Sequence, residues 1–418
     1  MDTLLPLVGA LFMLALAAYV VTLIGRELGT VRIAREMATS EQALLREHIA
    51  AIAEKTRRER EHAERTWNGF RKFVISRKVL EAKDIRSFYL TPHDHRPLPS
   101  FNPGQYLTFR LNVPGQPKPV IRCYSLSDAP RPDAFRVTIK RIGPPPDKPD
   151  GAPGVSSSFF HDELDEGDIV DVKAPAGHFF LDPEDMSPVA LIGGGIGLTP
   201  VLSMLDAIVE ANARRDVWFF YGVRNRSEHA MADRLRQLAA DNPNVQLHVC
   251  YSHPGPDDRL GHDYRHGERV SVDLLKRELP SHALDFFICG PPAMMHSLVE
   301  GLQAWGVPAG RIHHEAFGPA SVKSVAAPET APSGRTAEIV FARSGKTCAW
   351  DGRSSVLEAA EANGVRIDFG CRAGNCGTCL TALLGGEVDY ASPPGTSIEA
   401  GSCLACIAVP KTALRLDA

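Results

Sequence analysis

The chain has 418 residues, of which 44% are hydrophobic and 23% charged, an ordinary globular balance with room for several domains. A formal net charge of −4 excludes the basic bias expected of a nucleic-acid binder. Nine cysteines, five of them at 371, 376, 379, 403 and 406, exclude an evenly spread disulfide framework and read as a metal or cluster site in a reducing compartment.

Residues 4–24, LLPLVGALFMLALAAYVVTLI, carry no charge, and as a helix they would reach roughly 31 Å, the thickness of a hydrocarbon core. The run is too long for a cleaved leader and lacks a basic start, so residues 1–25 are expected to form a transmembrane anchor. Arg26, Arg32 and Arg35 follow while only Asp2 precedes. That bias implies a single pass through the inner (cytoplasmic) membrane with the catalytic domains in the cytoplasm. Residues 26–66 lack proline and pair Glu54 with Arg58 and Glu61 with Arg65, which predicts a helical stalk.

From Trp67 the period changes. FRKFVISRKV, DIRSFYL, QYLTFRL, FRVTIKRI and DIVDVKA alternate and are broken by Pro, Gly and Asp, predicting an antiparallel β-barrel over 67–182. Within it, Arg122-Cys123-Tyr124-Ser125 ends a strand. Arginine can pair with phosphate, tyrosine can stack on a flat ring, and serine can hydrogen-bond a ring nitrogen. Gly154-Val155-Ser156-Ser157 offers backbone N–H groups and hydroxyls suited to phosphate. Between these lies a proline-rich loop, GPPPDKPDGAPG.

Residues 183–318 alternate strand and helix, VALIG, TPVLSMLDAIVEANA, VWFFYGV, ADRLRQLAA, VQLHVCY, VDLLKREL and ALDFFICG, predicting an α/β doubly wound domain. The turn Gly193-Gly194-Gly195-Ile-Gly197-Leu-Thr199-Pro200 follows the first strand and opens a helix. Glycine allows close backbone approach to a pyrophosphate, whose charge the helix N-terminus favours. Cys289-Gly290-Pro291 turns sharply after a later strand. Residues 319–336, small, polar and punctuated by proline, read as a linker.

The last unit, 337–418, surrounds the cysteines. Cys371, Cys376 and Cys379 are spaced C-x4-C-x2-C, the plant-type [2Fe–2S] arrangement rather than the paired knuckles of zinc. The spacing leaves Cys403 and Cys406, in CLACIAVP, as candidates for the fourth thiolate.

Together these motifs resemble the ferredoxin–NADP reductase superfamily. They come closest to the oxygenase-reductase type with a C-terminal plant-type ferredoxin domain, the phthalate dioxygenase reductase kind, and the flavin and nucleotide modules also resemble those of flavohaemoglobin. The resemblance implies a β-grasp fold for 337–418 and Cys406 as the fourth ligand, with Cys403 a packed thiol. It implies FAD (FMN as the alternative) held by Arg122, Cys123, Tyr124, Ser125, Lys140, Arg141, Gly154, Val155, Ser156, Ser157 and Phe317. Gly194, Gly195, Gly197, Thr199, Pro200, Gly290 and Pro291 would hold NADH, or NADPH. Arg224 and Arg226, in YGVRNRSEHA, would suit a 2′-phosphate, yet NADH is expected to be preferred, with Arg226 the residue that tests it. Catalysis would fall to Ser125 at flavin N5, Cys289 at the nicotinamide and Glu315, in HHEAFGP, as the charge-stabilising residue. The function implied is that of an NAD(P)H-dependent reductase passing single electrons through flavin and [2Fe–2S] to a membrane-bound oxygenase, desaturase or cytochrome. A diaphorase acting on a small acceptor and a membrane-tethered redox sensor are the alternatives. His262 and His266 are expected to be solvated.

Overall fold

The computed structural model describes residues 66–418 apart from 145–148, 183–184, 212–213, 316, 318–336, 375, 392–393 and 397, together with isolated positions among the first 65. The chain divides into two compact units, Met1–Arg65 and Thr66–Ala418.

The first unit corrects the expected transmembrane anchor. A span needs about 20 consecutive apolar residues in one helix. Among the described residues no helix is long and apolar enough to cross a membrane; within 1–26 the described helical positions are Met13, Leu14, Leu16, Tyr19, Val20, Thr22, Leu23 and Arg26. Most of residues 1–25, of the stalk at 26–66 and the whole linker at 319–336 lie outside the described residues. The inner-membrane placement rested on that span and the arginines behind it.

In the second unit six strands form the first sheet: β1 (Arg71–Ala82), β2 (Ile85–Pro92), β3 (Tyr106–Leu111), β4 (Val120–Ser125), β5 (Phe135–Lys140) and, after helix α1 (Val155–Asp162), β6 (Ile169–Val172). Their order is β4-β3-β6-β1-β2-β5. A bridge from Leu126 to Val137 brings the β4 end back to β5, curling the sheet into a barrel. Every other side chain points inward, so Phe73, Phe88, Phe109 and Phe135 fill the centre. Phe160 of α1 closes it, edge-on to Phe88 at 5.1 Å and Phe109 at 5.3 Å.

Next comes a parallel sheet: β7 (Val189–Gly194), α2 (Leu198–Glu210), β8 (Val217–Val223), α3 (Ala232–Asp241), β9 (Val245–Tyr251), α4 (Val272–Glu278), β10 (Asp285–Cys289), α5 (Pro292–Ala304) and β11 (Ile312–Glu315). Strand order is β11-β10-β7-β8-β9. The chain thus winds away from β7 in both directions and leaves a crevice at the carboxyl ends of β7 and β10. VALIGG is buried throughout, as a strand covered on both faces must be. The last domain has β12 (Glu338–Phe341), β13 (Lys346–Ala349), α6 (Val356–Ala362), β14 (Leu380–Gly385), β15 (Val388–Tyr390), β16 (Ser402–Leu404), β17 (Ala408–Pro410) and β18 (Leu414–Leu416). Its main sheet runs β13-β12-β18-β14-β16 with α6 packed on the core. Ser355 caps α6 and Glu358 completes the capping box.

A buried ionic cluster joins the barrel to the parallel domain. Arg136 of β5, 3% exposed, lies 3.2 Å from Asp206 of α2, which is 0% exposed. Asp128 and Arg234 complete the cluster, with Arg234 Nη2 2.9 Å from Asp206. Ser203 donates to the Asp128 carbonyl at 2.7 Å. Removing one member of such a set leaves a buried charge unpaired. Asp206→Ala should therefore lower the unfolding free energy by about 3–5 kcal/mol, measured by urea denaturation. A loss below about 1 kcal/mol, the value of an exposed pair, would show that the domains are held by something else.

Candidate functional site

Register places three residues of the crevice in one row. Cys289 at the end of β10 pairs with Gly193 on one side and Glu315 on the other. The turn Gly195–Gly197 then opens α2. A Cβ at Gly197 would fall 2.2 Å from the Cys289 carbonyl oxygen, so only glycine lets the turn pack on that strand end. Gly194, Gly290 and Pro291 crowd together beside it. Thr199 donates to the Ile196 carbonyl at 3.1 Å, and Pro200 is buried in the first turn.

Glu315 is the electrostatic centre of this row. Burial pushes its carboxyl up to about 8, against the opposing pull of the Ser125 hydroxyl. Its Oε2 is buried without a hydrogen-bond partner, and a buried acceptor left open is a place for a ligand donor. Ser125 itself is buried, so the barrel strand and the parallel sheet meet at these two side chains. Burial, and then the Glu315 charge, also keep the Cys289 thiol protonated.

On the barrel side, Tyr124 packs edge-on to Phe109 and Phe160, and its hydroxyl lies 2.8 Å from Ser156 Oγ. That contact ties β4 to the N-terminus of α1, which begins after Gly154 with no side-chain cap and no acid in its first turn, an arrangement favourable to an anion. Ser157 Oγ accepts from the Ile142 N–H at 3.1 Å and donates to the Gly154 carbonyl at 3.1 Å. Val155 is exposed, as is Phe317. Lys140 pairs with Glu228 at 3.0 Å, and Arg141 with Asp162 at 2.8 Å. Arg122 reaches out of the barrel altogether, donating to the Gly370 carbonyl at 3.0 Å.

Gly370 leads into the cysteine loop. The Cys371 N–H donates to the Cys376 sulfur and the Cys376 N–H to the Cys371 sulfur, each at 3.3 Å. Cys379 and Cys406 sulfurs are 3.2 Å apart. Cys403 lies in β16 opposite Thr381 and is fully buried in the core, where burial pushes its thiol up to about 12. Four sulfurs with backbone N–H groups aimed at them suit an iron–sulfur cluster. Contact with Cys123 and then Cys371 drives the Cys376 thiol down. A Cβ at Gly370 would fall 2.9 Å from both Cys376 Sγ and Ile121 Cβ, so loop and barrel strand touch.

Two features were not legible beforehand. A polar cleft near the β8 end is lined by Arg224, Lys140, Glu228 and His253 but not by Arg226, whose backbone N–H instead faces Asp258. His266 is half-buried rather than solvated, its Nε2 3.1 Å from His248 Nδ1. With Glu278 it has the spacing of a metal set. However, the two rings are parallel within 5° at 5.4 Å, which aims the nitrogens head-on in an N–H···N bond.

Three family models match the chain. "Oxidoreductase FAD-binding domain" covers residues 72–181, "Oxidoreductase NAD-binding domain" 191–300 and "2Fe-2S iron-sulfur cluster binding domain" 340–411. A flavohemoprotein of Halalkalibacterium halodurans is 37% identical over 277 residues, 66% of this chain and 67% of that protein. The chain thus spans about two thirds of that relative's length. Among solved structures, the FAD/NAD-binding domain of a nitric oxide dioxygenase from Vibrio cholerae is 34% identical with a TM-score of 0.54, covering 60% of this chain and 100% of that one. A phthalate dioxygenase reductase, described as modular for electron transfer from pyridine nucleotides to [2Fe–2S], is 28% identical with a TM-score of 0.51, covering 84% and 98%.

A carboxyl whose folded pKa lies above its ordinary value binds a proton that the unfolded chain has lost. The stability it confers is greatest below about 4.5, the ordinary value, and falls as pH rises toward about 8. Flavin-free protein should therefore lose thermal stability across that window, and Glu315→Gln should flatten the loss. Parallel melting curves for the two proteins would refute the buried acid.

Proposed function

The chain belongs to the ferredoxin–NADP reductase superfamily, in the type with a C-terminal plant-type [2Fe–2S] domain, and we propose that it delivers single electrons to a separate oxygenase, desaturase or cytochrome. It is an NAD(P)H-dependent oxidoreductase whose cofactors are FAD, NADH and a [2Fe–2S] cluster. When bound, the flavin exchanges a two-electron donor for one-electron transfers and the cluster carries those electrons singly.

The protein's part is placement. The α1 N-terminus with Ser156 and Ser157 suits the flavin phosphates, and the α2 N-terminus behind Gly195–Gly197 suits the nucleotide pyrophosphate. Glu315, neutral at physiological pH because its carboxyl is pushed up to about 8, can hold or release a proton beside Ser125. Cys289 presents a protonated thiol at the head of the crevice. Cys371, Cys376, Cys379 and Cys406 would hold the cluster. The observation that carries the proposal is the bond from Arg122, on the strand bearing Tyr124 and Ser125, to Gly370 of the cysteine loop. Through it the flavin strand and the cluster loop become neighbours within one unit.

Cys371→Ser and Cys406→Ser should each lose the iron and abolish NADH–cytochrome c reduction, while NADH–ferricyanide activity stays within about twofold because ferricyanide accepts from flavin directly. Cys403→Ser should keep the iron. Iron lost from Cys403→Ser and kept in Cys406→Ser would reverse the ligand assignment.

For the nucleotide we propose a preference for NADH. The cleft beside the β8 end sets Asp84 and Glu228 against Lys83, Lys140 and Arg224, and Lys140 is already paired with Glu228 at 3.0 Å, so the field it offers a 2′-phosphate is weak. kcat/KM should be higher for NADH than for NADPH. Arg224→Ala should raise KM for NADPH about tenfold, the loss of one charge-assisted hydrogen bond, with Arg226→Ala nearly neutral. The reverse ranking of the two variants would move the contact to Arg226.

A further inference from the structure

We propose that Lys118 and Asp368 form a steering pair that guides the ferredoxin domain onto the flavin strand and so sets how quickly the cysteine loop settles there. This rests on the reading of the two domains as successive electron carriers.

The contact between the domains has a centre and a rim. At its centre the Gly370 carbonyl accepts from Arg122 Nη1 at 3.0 Å. A Cβ at Gly370 would fall 2.9 Å from Ile121 Cβ, so the backbone there presses on β4 with no room for a side chain. Gly395 accepts from the Tyr106 hydroxyl at 3.0 Å, and its own N–H donates to the Gly374 carbonyl at 3.1 Å. Contacts at Gly370 and Gly395 thus hold the cysteine loop to the barrel at two points. Lys118 lies at the rim, in the connection from β3 to β4, and Asp368 just before Gly370. Lys118 Nζ is 2.8 Å from Asp368 Oδ1, with the two side chains 73% and 74% exposed.

Charge lets this rim act before contact is made. Residues 67–182 carry sixteen Lys and Arg against fourteen Asp and Glu, and residues 337–418 carry seven against nine. Four thiolates closing on a [2Fe–2S] cluster add negative charge to the second set. The barrel and the ferredoxin domain therefore differ in sign, and Lys118 and Asp368 repeat that difference where the two meet. An exposed pair gives little stability, but complementary rim charges raise the rate at which two faces find each other. Hydrogen bonds to the Gly370 and Gly395 carbonyls act only once the faces touch.

The test uses the full chain loaded with flavin and iron, as wild type, Lys118→Glu, Asp368→Lys and the double swap. Each is measured at about 10 mM and about 1 M salt, where charges are screened over about 30 Å and about 3 Å. Hydrogen exchange of segments 118–122 and 368–371 reports docking whether or not electrons flow, and stopped-flow absorbance reports transfer from reduced flavin to the cluster. At low salt each single reversal should speed the exchange and slow the transfer about fivefold, with flavin reduction by NADH unchanged. The double swap should restore both, and at high salt the four proteins should agree within about twofold. Wild-type behaviour of Lys118→Glu in either readout at low salt would overturn the proposal. A defect that persists at high salt or in the double swap would also overturn it, since the side chains would then be packing rather than steering. A wild-type cluster that NADH leaves oxidised, with iron and flavin both present, would instead undo the electron-carrier reading on which the proposal stands.

Discussion

A guanidinium with almost no access to water fixes how the barrel and the parallel sheet meet. Arg136 has Asp206 as a partner from the helix that follows the glycine turn, and Asp128 from its own domain. Desolvation lifts the Asp206 carboxyl to about 6, while Arg234 and Arg136 pull it back. Neither charge is tolerable without the other in so dry a place, so the cluster is more a geometric lock than a source of net stability. What it locks is functional. α2 begins at the turn on the Cys289 strand end, and Arg136 lies on the strand that leads to Lys140. The separation of Ser125 and Glu315 is therefore set from behind, by ions that touch neither.

Within that frame the site follows from two backbone rules. Parallel strands ending together put Gly193, Cys289 and Glu315 in one row, so a small residue, a thiol and a buried acid line the crevice side by side. Antiparallel alternation in the barrel sends Tyr124 into the aromatic core and Ser125 out toward Glu315. The contrast in environment explains the acid's behaviour. A carboxyl surrounded by strand ends and one hydroxyl has little to stabilise its charge, whereas Asp162 beside Arg141 is paired and its carboxyl is held down.

Much of this could be read from the residues, and where it could not the reason is physical. The C-x4-C-x2-C spacing, the glycine turn and Arg122–Ser125 are local patterns, and local patterns survive in a sequence. β11 did not, because Ile312-His-His-Glu315 is four residues long and two of them are histidines; only pairing with β10 makes it a strand. α5 was hidden by Pro291 and Pro292, which read as a turn although proline suits a helix's first position. The apolar run at 4–24 shows the opposite error: hydropathy alone spoke for a span, and no such helix exists among the described residues. Contacts between domains were invisible throughout, since nothing in the spacing of Arg136 and Asp206 announces an ion pair across 70 residues.

The same limit applies at β4, where one short strand serves three neighbours. Its inward face feeds the barrel core through Tyr124. Its outward face meets Glu315 at one end through Ser125 and the cysteine loop at the other through Ile121, with Arg122 reaching across to the Gly370 carbonyl. Tyr106 on the adjacent strand makes a second link to the last domain, its hydroxyl donating to Gly395 at 3.0 Å, and Lys118 a third, 2.8 Å from Asp368. The last of these is an exposed pair and worth little. Among the described residues, polar links of this kind hold a domain in register without holding it permanently. That suits the proposed delivery of electrons from the cluster to a separate acceptor.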